Sequence, residues 1–133
     1  MNVEIRAKRI LSGLPNYQSA AGVSVEVPAV SKACGNFLGR YRNKDSDVDA
    51  LWFYETAVIW TAPGEKIEIP FKEVDQVTLP AKKESQGLVL KMRDGRNILL
   101  PILGKRDHFF DSMEVLRFFD RVLKDLRAAA PST

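Results

Sequence analysis

The sequence has one cysteine, Cys34, and one histidine, His108. A lone thiol excludes an intrachain disulfide, and a lone imidazole excludes any metal centre or proton relay that needs two. Apolar residues come in short runs, and none approaches the roughly 18 consecutive positions of a membrane-spanning helix. The amino-terminal stretch MNVEIRAKRILSGLPNY is broken by Glu4, Arg6, Lys8 and Arg9, so it lacks the unbroken apolar core of a secretory leader. Charge of one sign is also scarce. Twenty Lys and Arg stand against 17 Asp and Glu, a net +3 that is too small and too dispersed to mark a nucleic-acid surface. The stretch from Gly35 to Gly39 lacks the glycine count and the Lys-Ser/Thr ending of a phosphate-cradling loop. These gaps leave a small, non-catalytic, cofactor-free domain, expected in a reducing cytoplasm.

What is present is enough for one core. At 133 residues the chain has the length of a single ordinary domain. The clearest element is a helix expected from about Ser112 to Ala128, where Val115, Leu116, Phe119, Val122, Leu123 and Leu126 recur at three- and four-residue intervals. Asp111 suits the cap of this helix, with Glu114 in capping-box position and Phe110 and Val115 spaced as a hydrophobic staple. Asp120 with Lys124, and Arg121 with Asp125, have the spacing of ion pairs along the outer side.

The middle of the chain alternates short strand-like runs with turn signals. Leu51–Tyr54 precedes a break at Glu55-Thr56, and Pro63-Gly64 suits the centre of a type II turn between Ala57–Trp60 and Lys66–Ile69. Asp94-Gly95 reads as a type I′ turn, setting Arg93 opposite Arg96, Lys91 opposite Ile98 and Leu90 opposite Leu99. In that register Leu88, Leu90, Met92 and Leu99 face the core, while Val89, Lys91, Arg93, Arg96, Ile98 and Leu100 share the outer face. From Leu51 onward this predicts six strands and then the helix. In the first 50 residues, Val23, Val25 and Val27 alternate with Ser24 and Glu26 as a half-buried strand would. Phe37–Tyr41 suits another strand, Val3–Leu14 fits helix or strand, and residues 43–47 read as a polar loop.

Between the sheet-like runs lies IPFKEVDQVTLP, Ile69 to Pro80. Pro70 cannot donate a ladder hydrogen bond and so suits a strand end or an edge, and Val74 and Val77 can turn back into a core. The chain is expected to pass here from one sheet to another. Ile69-Pro70-Phe71, then Lys72-Glu73-Val74, then Asp75-Gln76-Val77, together with the order of strands, turns and helix, resembles the pleckstrin-homology (PH) superfold, in particular its GRAM-like and bacterial PH-like branches. The resemblance covers roughly Leu51 to Ala128. It implies a mainly-β α+β fold, a bent antiparallel sheet or partly open barrel of about seven strands closed by the carboxy-terminal helix, with residues 1–50 supplying the first strands and a decoration.

Candidate sites are few. Cys34 and His108 match no nucleophile signature, so Cys34 is expected to be a buried or bystander residue and His108 a solvated or capping residue in the loop before the helix. In PH-like domains that hold phosphoinositides, a lysine on the first strand and a basic-x-Arg on the second are common. Lys32, Arg40, Arg42 and Lys44 fit that pattern, although Asp45, Asp47 and Asp49 follow directly and weaken it. The second candidate is the outer hairpin face, Val89, Lys91, Arg93, Arg96, Ile98 and Leu100, with Lys82 and Lys83 adjacent. That face is apolar enough to need cover, from the first 50 residues or from a partner. Trp52, Phe53, Tyr54 and Trp60 have few basic neighbours and are expected in the core rather than on a base-stacking platform. The function expected is protein–protein contact, as an adaptor or an immunity-type inhibitor, with attachment to anionic lipid as the alternative and no role for nucleic acid.

Overall fold

The computed structural model describes residues 2–44, 46, 48–80, 87–103 and 109–129, the side chains of 109 and 110 excepted. Its elements are α1 (Val3–Ile10), β1 (Tyr17–Ser19), β2 (Phe37–Arg42), β3 (Ala50–Tyr54), β4 (Ala57–Ala62), β5 (Glu65–Pro70), β6 (Val74–Thr78), β7 (Leu88–Met92), β8 (Asn97–Leu100) and α2 (Phe109–Ala129). The strands make two antiparallel sheets, β1-β2-β3-β4-β5 and β6-β7-β8, neither closed on itself. The fold is mainly-β α+β, with two sheets and a carboxy-terminal helix.

The passage between the sheets lies at Pro70. β5 is an edge strand, so a residue without an N–H ends it without breaking an internal ladder. One 3-10 turn, Phe71–Glu73, carries the chain across, and the Phe71 N–H is taken up by the Thr56 carbonyl at 2.9 Å. Phe71, Val74 and Val77 are buried. The Phe71 ring meets Phe118 and Phe119 of α2 edge to face at 6.2 and 5.9 Å, and Phe118 meets Phe53 of β3 at 5.3 Å. One aromatic cluster thus joins the first sheet, the corner and the helix.

The first turn of α1 is closed by Asn2, whose Oδ1 accepts the Ile5 N–H at 2.9 Å, and the helix buries Ala7 and Ile10. The Val3–Leu14 segment therefore begins as helix. α2 buries Val115, Phe118, Phe119, Val122 and Leu123, but Leu116 is half-buried and Leu126 is 39% exposed, so the expected stripe is rotated toward Phe118. The helix starts at Phe109, ahead of the expected cap. Asp111 lies inside it, buried, and accepts the Tyr41 hydroxyl at 2.6 Å. The staple proposed for Phe110 lies outside the described side chains. Glu114 pairs with Arg117 at 3.2 Å. Asp125 takes both Nε and Nη2 of Arg6 at 2.9 and 3.0 Å, tying α2 to α1 across 119 positions of sequence.

Two expectations are corrected. The β7–β8 register pairs Leu88 with Leu100, Val89 with Leu99, Leu90 with Ile98 and Lys91 with Asn97. Only Gly95 has a positive φ, +93°, and Asp94 does not, so the loop is a three-residue connection with a glycine bulge rather than a two-residue type I′ turn. The Met92 N–H reaches the Arg96 carbonyl at 2.8 Å, and the Gly95 N–H reaches the Met92 carbonyl at 3.0 Å. A slip of one residue reverses every side chain of β8. Ile98 and Leu100 turn inward, Leu100 fully buried, while Leu99 is 52% exposed beside half-buried Val89.

The second correction concerns Val23, Val25 and Val27. Residues 23–31 form no strand. They run extended across the outer face of the five-stranded sheet, with those valines and Val30 packed on Trp52, Tyr54 and Ile59. The alternation reflects burial of one side, while a segment lying over a sheet face cannot join its ladder. The amino-terminal cover therefore exists, but on the first sheet and not on the β7–β8 face.

If this register holds, Leu99→Asp changes stability by no more than about 0.5 kcal/mol, while Leu100→Asp costs more than about 3 kcal/mol, in urea unfolding of the two variants. Alkaline stability gives a second check. Burial pushes the Tyr17 phenol up to about 12 from its ordinary 10.0. Burial first, and then the Asp111 carboxylate, also raises Tyr41. A neutral acid with a raised folded-state pKa lends stability that is complete below the ordinary value and lost as pH rises through the folded value. Above about pH 10 unfolding free energy should therefore fall by up to about 1.4 kcal/mol per pH unit for each tyrosine. Tyr41→Phe should shallow that fall.

Candidate functional site

Where the strap of residues 23–31 ends, its last turn docks beside the corner. Cys34 ends the 3-10 turn Lys32–Cys34 and is buried. Its Sγ donates to Glu68 Oε1 of β5 at 3.2 Å, and the Ser31 N–H donates to the same oxygen at 3.0 Å. The Thr56 hydroxyl donates to the Ala33 carbonyl at 2.6 Å and the Thr56 N–H to the Cys34 carbonyl at 3.1 Å. Gly35 then turns at φ +78°, where a Cβ would press on Glu55, and Glu55 accepts the Asn36 N–H at 2.7 Å. The strap is thereby pinned to the β3–β4 turn and to β5.

This junction leaves an open cleft of about 410 Å³ between the Cys34 turn, the β3–β4 turn, the Pro70–Glu73 corner and the end of α2. Its walls include Ala57, Pro70, Phe71 and exposed Leu126. Among the described residues, Glu55, Glu68 and Glu73 line it against one cation, Lys72. The Glu68 carboxyl is held below its usual range, chiefly by the Ser31 N–H and then by the Cys34 thiol, so it stays ionised. Burial, and then the neighbouring Glu68, pushes the Cys34 thiol up. A buried thiol that donates its proton in a hydrogen bond to a carboxylate is less nucleophilic than an exposed thiolate. Among the described residues no group of His, Cys, Asp and Glu could hold a metal ion.

The four basic residues of the lipid pattern are not gathered on one face. Lys32 is exposed in the turn before β2 and Lys44 is exposed after its end. Arg40 is 3% exposed. Its guanidinium stacks over Trp52 at 5.4 Å, and Nη2 donates to Gln18 Oε1 at 2.6 Å. This burial follows from register, because β2 places Arg40 between Gln18 of β1 and Trp52 of β3. Arg42 is half-buried, and its Nε donates to the Ser46 carbonyl at 3.3 Å. Of the acids that follow, Asp49 accepts from Asn43 and Trp60, while Asp45 and Asp47 lie outside the described residues.

The hairpin residues also separate. Lys91 stays on the outer face beside Val89, Ile98 and Leu100 turn inward, Arg93 donates to the Lys72 carbonyl at 2.8 Å, and Arg96 pairs with Asp94 at 2.7 Å across the loop. Lys82, Lys83 and His108 lie outside the described residues. Trp52, Phe53 and Tyr54 are buried and Trp60 is half-buried.

Sequence reasoning missed the cleft. Glu68 reads as a solvent position between Ile67 and Ile69, and no local signal places it against Ser31 and Cys34, 34 and more positions upstream. Leu126 completed the expected apolar stripe, and its exposure emerges only from the angle of α2. Comparison with protein-family models, curated proteins and solved structures finds no match for the chain.

The thiol geometry carries its own test. Cys34 should react slowly with an aromatic disulfide reagent in the native protein, and Glu68→Ala, which removes the acceptor and one anchor of the strap, should raise the rate by roughly tenfold. An unchanged rate would mean that the carboxylate does not govern the thiol.

Proposed function

We propose that this chain is a non-catalytic, PH-like binding module of the cytoplasm that acts by contact with a protein, as an adaptor or as an inhibitor that covers its target. The observation that carries this is the open cleft at the corner, where half-buried Pro70 and exposed Leu126 offer apolar surface above buried Ala57 and Phe71. Cys34 and Glu68, the groups there with chemical potential, are bonded to each other and to the strap. Concave, mainly apolar sites with a few fixed polar groups are the usual form of a binding site. The PH-like assignment draws support from the corner at Pro70, the strand order on either side of it and the helix that follows. The cytoplasm suits a single, unpaired thiol.

Attachment to anionic lipid is the weaker reading, because Arg40 is buried against Trp52 and Lys32 and Lys44 lie beyond opposite ends of β2. Among the described residues no helix is long and apolar enough to cross a membrane.

The test is affinity isolation from source-cell lysate at high salt with three proteins, namely the native chain, Leu126→Asp and Leu99→Asp. Both substituted positions are exposed, so both variants should fold. A stoichiometric protein held by the native chain and by Leu99→Asp but lost with Leu126→Asp, a drop of at least about tenfold, is the expected outcome. Equal retention by all three would remove the cleft from the function.

A further inference from the structure

The rim of the cleft carries information about what enters it. Among the described residues, four side chains of formal charge line it, Glu55, Glu68, Glu73 and Lys72, a formal excess of two negative charges on a chain whose net charge is +3. The local sign is thus opposite to that of the whole molecule. Glu68 is committed on one oxygen, where it takes the Ser31 N–H and the Cys34 thiol, and it remains ionised. One Glu55 oxygen accepts the Asn36 N–H. These bonds fix two carboxylates in position beside the apolar wall, and Glu73 adds a third at the end of the 3-10 turn, just before β6. Carboxylates held by backbone N–H groups present charge without the entropy cost of ordering a free side chain.

Resting on the protein-contact reading above, we propose that the cleft receives a segment of a partner protein in which an apolar side chain is flanked by arginine or lysine. The apolar side chain would lie against Pro70 and Leu126, and the flanking cations would face Glu55, Glu68 and Glu73. A volume of about 410 Å³ suits one large side chain or two adjacent ones rather than a folded domain. Like-charge repulsion would exclude an acidic segment, so the rim sets which partner binds as well as how fast it arrives.

The test titrates the full ¹⁵N-labelled chain with two short synthetic peptides that share a central Leu-Phe pair, one flanked by arginines and the other by glutamates. The arginine-flanked peptide should move the amide signals of residues 31–34, 55–57, 68, 69, 71–73 and 126, and bind at least about tenfold more tightly than the glutamate-flanked one. Glu73→Lys, at an exposed side chain, should reduce that preference several-fold, and added salt should reduce it further. Equal binding of both peptides would overturn the charge inference and leave protein contact at the cleft standing. No perturbation of these signals by either peptide would overturn both.

Discussion

Everything in this fold turns on the place where Phe71 meets Phe118 and Phe119. Pro70 has ended one sheet and Val74 has not yet begun the other, so the crossing is held by hydrogen bonds between its backbone and Thr56 and Arg93 and by one buried side chain. That side chain is Phe71, which stands edge-on to both rings of α2, while Phe118 touches Phe53 on the first sheet. Edge-to-face pairs of this kind contribute about 0.5–1.5 kcal/mol each beyond the area they bury. The larger consequence is geometric. The same contact fixes where α2 runs, and so where Leu126 emerges on the surface next to the corner.

The two sheets solve the problem of their outer faces differently. The first is covered by the chain's own residues 23–31, whose valines lie on Trp52, Tyr54 and Ile59. Lys66 Nζ holds the Ala29 carbonyl at 2.6 Å and Glu68 holds the Ser31 N–H, so two side chains of one edge strand secure the strap without backbone pairing. The second sheet leaves Leu99 in water beside Val89 and Lys91. Its apolar residues are nonetheless mostly inward, because the one-residue shift at Gly95 moved Leu100 and Ile98 to the core side. The cleft arises at the seam between these arrangements, where strap, corner and helix end meet without filling the space.

Much of this was legible in the chain. α2 could be read from periodicity because its apolar repeat is long, and the corner from Pro70 between an isoleucine-bearing strand and a valine-bearing one. The six strands after residue 50 followed from their turn residues. What escaped reading depends on distant partners. Asp94-Gly95 is compatible with two hairpin loops, and the choice rests on Leu100 finding Leu88 rather than on the turn itself. Arg40 looked like a surface cation because nothing adjacent reveals that Gln18 and Trp52 flank it. The alternating valines did report one buried side, yet alternation cannot distinguish a strand in a ladder from a strap over a face. The cleft was invisible for the same reason, since Cys34, Glu68 and Leu126 come from three separate parts of the chain.

The central claim is that the corner which joins the sheets also makes the surface by which the protein acts. Site-specific photo-crosslinking in living cells tests it directly, with a benzophenone side chain placed at position 126 or at position 99. The account predicts one discrete adduct of protein mass from position 126 and none from position 99. A discrete adduct from position 99 with none from position 126 would contradict it, and would move the interaction surface to the outer face of the three-stranded sheet.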